Sequence, residues 1–205
     1  MHRSVGVAHG YSICPLRGQE GCAIISRMPF NLRKATLADR PAIEELIKLS
    51  ARGLSRADYS DEEIEAAIRT VFGVDTNLIE DGTYFVVENS SELIGCGGWS
   101  KRRTLFGGDQ YKTRDASELD PKTEPARIRA FFVHPAHARK GVARAILEAC
   151  EGEARAAGFQ ALELMATLPG IKFYEANGYQ GTEPTELSLG DGIAIGLAPM
   201  RKKIV

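Results

Sequence analysis

The stretch FFVHPAHARKGVARAIL, Phe131 to Leu147, runs an apolar segment into a turn with two cations and a glycine, and then into an amphipathic segment. This is a strand passing through a tight turn into a helix. A helix N-terminus leaves about four backbone N–H groups without intrahelical partners and carries about half a positive charge. It is therefore a ready site for an anion, phosphate above all. Gly141 lets a ligand approach the backbone with no side chain in the way, and the small Ala143 keeps that approach open. Arg139 and Lys140 add charge beside the same amides. The combination suits a diphosphate. It also suits a solvated turn that simply needs a glycine.

Other phosphate-binding patterns fit less well. No G-x-x-x-x-G-K-[ST] occurs, and no G-x-G-x-x-G follows a strand. A net charge of −1 means that any anion binding must be local, so neither nucleic acid nor an anionic membrane is an expected partner. No apolar run approaches the roughly 18 residues of a membrane-spanning helix. Cys14, Cys22, Cys96 and Cys150 follow no pairing motif, and a chain of 205 residues can build a core without disulfides. The reading is a reducing, cytoplasmic setting. His134 and His137 have no ligand partners at zinc-like spacing and read as loop residues, so no metal is expected.

Residues 1–27 show no periodicity and no signal-peptide core, and a second methionine, Met28, precedes the first patterned stretch. They read as an extension outside the fold or as an upstream start. The single domain is expected over residues 28–205. FNLRKAT alternates as a strand. A helix follows, with Asp39 at its N-cap, Pro41 in its first turn, and Ile43, Leu46, Ile47 and Leu49 facing inward. A second helix starts at Ser60, buries Ile64, Ala67, Ile68 and Val71, and stops at Gly73. TYFVVEN and ELIGCGGWS form a hairpin around a Ser-Ser turn, with Gly95, Gly97 and Gly98 marking a bulge or a close approach. Lys101 to Pro125 is a long polar loop of the kind that often carries function. ARIRAFFV is a strand. The helix after Gly141 presents Val142, Ile146, Ala149, Cys150 and Ala157 near one face, with Gly158 capping its end. ALELMAT is a strand, IKFYEANGY a short helix, and TELSL with IAIGLAPM a closing hairpin.

FFVHPAHARKGVARAIL, ALELMA and FYEANGY, in this order and spacing, resemble the GNAT superfamily of acyl-CoA-dependent N-acetyltransferases over about residues 30–201. The family's pyrophosphate loop, [RQ]-x-x-G-x-[GA], is read here as Ala138, Arg139, Lys140, Gly141, Val142 and Ala143. Ala138 replaces the usual Arg or Gln, with Arg139 beside it. The resemblance implies an α/β (α+β) fold. Its mixed, mostly antiparallel sheet has about six to seven strands, helices on both faces, and two splayed parallel strands that receive acetyl-CoA. It implies that the pantetheine arm runs along Phe132 and Val133, whose backbone N–H polarises the thioester carbonyl. The diphosphate would rest on the amides of Arg139 to Arg144. Tyr174 occupies the place of the tyrosine that protonates the leaving thiolate. Thr167 stands where relatives often carry an asparagine that contacts CoA.

The implied reaction is direct transfer of an acetyl group to a primary amine of a small molecule or peptide. The alternatives are a non-catalytic acyl-CoA sensor on the same fold, and a transferase for longer acyl chains. Glu124, Glu163 and Asp109 are candidate bases by position only, and Glu163 also reads as a solvent-facing strand residue; a water chain or an amine of low pKa would remove the need for a base. The acceptor walls are expected from residues 54–60 and from the loop after Trp99. Tyr59, Trp99, Arg102 and Phe106 are the candidate contacts. Family members often dimerise, so a homodimer is compatible with the resemblance.

Overall fold

The computed structural model describes residues 30–204. The expected extension, residues 1–27, lies outside the described residues, as do Cys14 and Cys22. The first strand, β1 (Asn31–Lys34), leads into α1 (Arg40–Leu54) and α2 (Asp61–Thr70). A short helix, α3 (Thr76–Glu80), precedes the hairpin β2 (Tyr84–Asn89) and β3 (Glu92–Ser100). After the long loop come β4 (Ala126–Val133), α4 (Val142–Ala156), β5 (Ala161–Thr167) and α5 (Ile171–Ala176). The chain closes with β6 (Gln180–Gly181), β7 (Thr185–Gly190) and β8 (Ile193–Lys203). The sheet has eight strands in the order β1-β2-β3-β4-β5-β8-β6, and β7 also pairs with β8. That exceeds the expected six to seven because the two-residue β6 and the outer β7 both attach to the long β8.

Capping and periodicity agree most clearly at α2, and less so at α1. Asp39 is the N-cap residue of α1, but its carboxylate is turned to Thr36 and Arg33 and caps the preceding single turn, Leu37–Asp39, instead. Ser60 and Glu63 form a reciprocal capping box on α2, with the Ser60 Oγ accepting the Glu63 N–H at 3.2 Å. Two expected core positions are corrected. Leu49 is 45% exposed, because the stripe of α1 passes through Ile43, Leu46, Ile47, Ser50 and Ala51 and leaves position 49 off the face. Ala157 lies beyond the last turn of α4 and is exposed, and Ala154 takes its place in the core. The α2 helix ends at Thr70, before the expected stop at Gly73.

Two apolar clusters cover the two faces of the sheet. One joins α4 and α5 to Phe85, Val87, Trp99 and Leu162; the other joins α1, α2 and α3 to Tyr84, Val86, Cys96 and Ile195. The glycines of β3 admit this packing. A Cβ at Gly95 would lie 2.3 Å from a Val142 methyl, and one at Gly98 would lie 2.7 Å from the Thr83 carbonyl oxygen.

One pairing determines where a ligand can enter. β4 and β5 are the only parallel neighbours among the described strands, and they are paired only at Ala126–Leu162 and Arg127–Glu163. Beyond Arg127 the two strands part. On its other edge β4 carries a bulge opposite Gly97, where the register shifts between Cys96 and Gly98 and Ala130 adopts a left-handed φ of 54°. The bulge re-aims the end of β4 away from β5.

Candidate functional site

A cavity of ≈ 390 Å³ occupies the gap between β4 and β5. Phe131, Tyr174 and Phe173 line it from one side of the sheet, and Phe72, Phe132 and Leu197 from the other. One end reaches the turn before α4 through Ala138, Arg139 and Ala143. The other end is closed by the segment 71–73 and the loop residues 105–108.

The α4 end has the properties that the turn sequence called for. Gly141 is the N-cap, with φ 85°, and makes no side-chain cap, so the first amides of α4 face outward. A Cβ on Gly141 would meet no protein atom within 4 Å. The glycine is thus required by its backbone conformation, and the space in front of it is open. Arg139 also has a positive φ, 60°. Two left-handed residues so close together turn successive N–H groups toward one concavity, a form suited to anions. Arg139 and Lys140 are exposed at its rim. Lys140, Gly141 and Arg144 are exposed beside the concavity and do not line the cavity wall, and Val142 turns its side chain into the core against β3. His134 closes the turn from within, its Nδ1 accepting the Ala136 N–H at 3.1 Å.

Tyr174 and Thr167 both line the cavity. Tyr174 is held by aromatic neighbours, with centroids 6.3 Å from Phe131, 5.0 Å from Phe173 and 5.6 Å from Tyr179. Burial, with a smaller contribution from Cys150, pushes its phenol well above the usual value. At neutral pH it is therefore a proton donor and not a phenolate.

The Val133 amide is not vacant. Because the His134 N–H bonds the Ile94 carbonyl, the N–H of the neighbouring Val133 turns to the opposite edge, toward the gap left by β5. There it donates to Ser50 Oγ at 3.1 Å. Ser50, from α1, lines the cavity and is buried. The sequence reading had not included it, because a serine on the inner face of a helix carries no signal of what lies opposite.

The acceptor candidates divide. Phe106 lines the cavity, stacked obliquely on Tyr111 at 5.1 Å. Trp99 does not: it is a core residue on the α4 face, edge-on to Phe159, with its Nε1–H donated to Glu153 at 3.0 Å. Arg102 forms a bidentate pair with Asp81 and so faces away from the cavity, toward the end of α3. Tyr59 is a latch and not a wall residue. Its hydroxyl donates to the Gly196 carbonyl at 2.6 Å and accepts the Leu168 N–H at 2.7 Å, and burial pushes it up to about 12.

The three carboxylates proposed as bases are all engaged elsewhere. Glu163 pairs with Arg127 and Glu124 with Arg103. Asp109 accepts from the Thr76 N–H and hydroxyl and pairs with Arg114. Burial raises its pKa, but these partners outweigh that and leave it below its usual value.

Arg129 lines the cavity and was also missed. Its guanidinium, with the side chain 2% exposed, donates to the carbonyls of Thr104 at 2.7 Å and Gly107 at 2.6 Å and pairs with Asp75 at 2.8 Å. Burial lowers it to about 10, so it remains a cation at neutral pH. Asp75 also pairs with Arg114. This buried cluster holds the loop over the segment 71–75, as do the Gly108 N–H to Val71 carbonyl and Asp109 N–H to Val74 carbonyl bonds. Among the described residues no group of three or more His, Cys, Asp or Glu is placed to hold a metal ion, and no helix is long and apolar enough to cross a membrane.

Comparison with known proteins agrees with this geometry. The model of the acetyltransferase (GNAT) family matches residues 43–179. Among solved structures, the chain is similar to a GCN5-related N-acetyltransferase from Rhodopseudomonas palustris, with a TM-score of 0.62, 19% identity, and coverage of 84% of this chain and 94% of the other. It is similar to the PaiA N-acetyltransferase of Thermoplasma acidophilum in complex with coenzyme A (TM-score 0.58, 18% identity, coverage 85% and 98%). It is also similar to the acetyltransferase YncA of Salmonella typhimurium with acetyl-CoA (TM-score 0.57, 18% identity, coverage 86% and 95%). No curated protein matches the chain.

Proposed function

We propose, from the premise that the chain belongs to the acetyltransferase (GNAT) family, that it transfers an acetyl group from acetyl-CoA directly to a primary amine of a small molecule or peptide. Residues 28–205 would form the catalytic domain, in the cytoplasm. The observation that carries the reading is the parting of β4 and β5 into a cavity that has an open helix N-terminus at one end and Tyr174 in its wall.

The residues present fit the donor. The amides from Arg139 to Arg144, with Arg139 and Lys140 beside them, would hold the diphosphate; the open space before Gly141 leaves room for it. Ala138 and Ala143 keep the cradle small, Val142 would offer its amide while its side chain packs in the core, and Phe132, Val133 and Thr167 would border the pantetheine arm. Acetyl-CoA supplies the thioester whose acyl carbon the amine attacks. The Val133 N–H would polarise the thioester carbonyl once Ser50 releases it. Tyr174 would donate its proton to the departing sulfur and regain one from solvent.

A thiol-release assay over a panel of amines tests this. Wild type should turn over at least one amine. Tyr174→Phe should lose about a hundredfold or more in kcat, within the usual range for a positioned acid. Equal turnover by both proteins would remove Tyr174 as the acid. Acetyl-CoA binding without turnover of any amine would favour the sensor reading.

A further inference from the structure

We infer that the acceptor is a weakly basic amine with an apolar body, taken up in its neutral form. This rests on the transferase reading above and names the substrate class for the same cavity. Away from α4, the large side chains of the wall include Leu54, Val71, Phe72, Leu105, Phe106 and Leu197, and its uncharged polar side chains include the hydroxyls of Ser50 and Ser55. The charged or titratable groups among the described lining residues are Arg129, Arg139 and Tyr174, two cations and a neutral phenol. Arg129 is committed to two carbonyls and to Asp75, and Asp75 sits behind it, paired also with Arg114. Arg139 belongs to the α4 end. The nearby carboxylates Asp109, Glu124 and Glu163 are tied to Arg114, Arg103 and Arg127.

An ammonium entering this space would lose its hydration and meet cations and apolar carbon, so its neutral form is favoured. An aliphatic amine with the basicity of a lysine side chain is neutral to roughly one part in a few thousand near pH 7. An arylamine is neutral throughout that range and carries no such penalty, and its ring suits a wall containing Phe72 and Phe106. The transfer then balances without a protein base. The amine nitrogen bonds the acyl carbon and the carbon–sulfur bond breaks. The nitrogen releases one proton to water, and the sulfur takes one from Tyr174.

Aniline and cyclohexylamine share a six-carbon ring and differ sharply in basicity. Thiol release with acetyl-CoA should be measured for both between pH 6 and pH 9, below the range in which Arg129 loses its charge. At pH 7, kcat/KM for aniline should exceed that for cyclohexylamine by about tenfold or more. The aniline profile should be flat, while cyclohexylamine should rise about tenfold per pH unit toward its own pKa. Phe106→Asp, which puts a carboxylate in a half-exposed part of the wall, should shift the ratio toward cyclohexylamine at least tenfold. Cyclohexylamine equal to or better than aniline at pH 7 would overturn the inference, as would silence with both amines in a protein that binds acetyl-CoA. Failure to bind acetyl-CoA at all would overturn the transferase reading, and this inference with it.

Discussion

Two glycines of α4 separate conformation from composition at the scale of one residue. Gly141 has a left-handed φ, and Gly152 lies exposed in the helix interior with nothing within 4 Å of a Cβ. Gly141→Ala should destabilise by about 1–2 kcal/mol, the cost of an L-residue in that region, whereas Gly152→Ala should stabilise by about 1 kcal/mol. Opposite shifts in Tm, each of roughly 2–4 °C per kcal/mol, are expected in a thermal melt. Asp39 offers a test in pH. Arg33 first, against a smaller opposing effect of burial and helped by Thr36, holds its carboxyl well below the usual range. Its contribution to stability is complete above the unfolded value near pH 4 and is lost as the pH falls through the depressed folded value. The Asp39→Asn variant should therefore differ from wild type in stability at pH 6 and converge on it in strong acid. Residues of this kind were legible in the sequence to different degrees. Gly141 and Tyr174 stood in recognisable local patterns. Ser50 and Arg129 did not, because their partners are 83 and 25 residues away, and one-dimensional spacing carries no record of such meetings.

At the scale of elements, the wall of the cavity opposite α4 depends on a buried ion cluster. Arg129 in β4 and Asp75 before α3 are both almost wholly buried and hold the loop 104–109 on the segment 71–75. Asp75→Asn leaves the Arg129 charge without its counter-charge and should cost about 3–5 kcal/mol. A paired replacement, Asp75→Leu with Arg129→Met, should cost less than the single change, since the buried cation is removed with its partner and Arg114 keeps Asp109. Chemical denaturation of the three proteins checks the order. The strands were the best-read elements: β2 and β4 are rich in β-branched and aromatic residues, and β3 and β5 are short apolar runs bounded by turns. The α3 helix was missed, because five residues give no period to read. Trp99 and Arg102 were misplaced for a related reason. Trp99 stands near the end of β3 and Arg102 lies just beyond that strand, where alternation alone did not reveal that α4 would cover the first and Asp81 pair with the second.

At the scale of the whole molecule, one topological fact positions the cavity proposed to receive the donor. Every strand pairing is antiparallel except β4–β5, and that pair separates after two residues. The gap would expose unpaired backbone, which the bulge at Ala130, the Ser50 hydroxyl and the helices on both faces manage in the protein alone. An extended chain of polar groups laid along β4 would satisfy the same edge. If the diphosphate and pantetheine are held in this way, the Gly141 turn controls donor affinity and the distant loop does not. Ser50→Ala, which frees the Val133 amide, should lower KM for acetyl-CoA with little change in kcat; a large fall in kcat would instead give the hydroxyl a part in the reaction. The most direct measurement is calorimetric titration of acetyl-CoA into wild type and into Gly141→Val. Wild type should bind with a clear heat, and the variant, folded by circular dichroism, should bind at least tenfold more weakly. Unchanged affinity in the variant, or no binding to wild type, would contradict the placement of the donor at the mouth of α4.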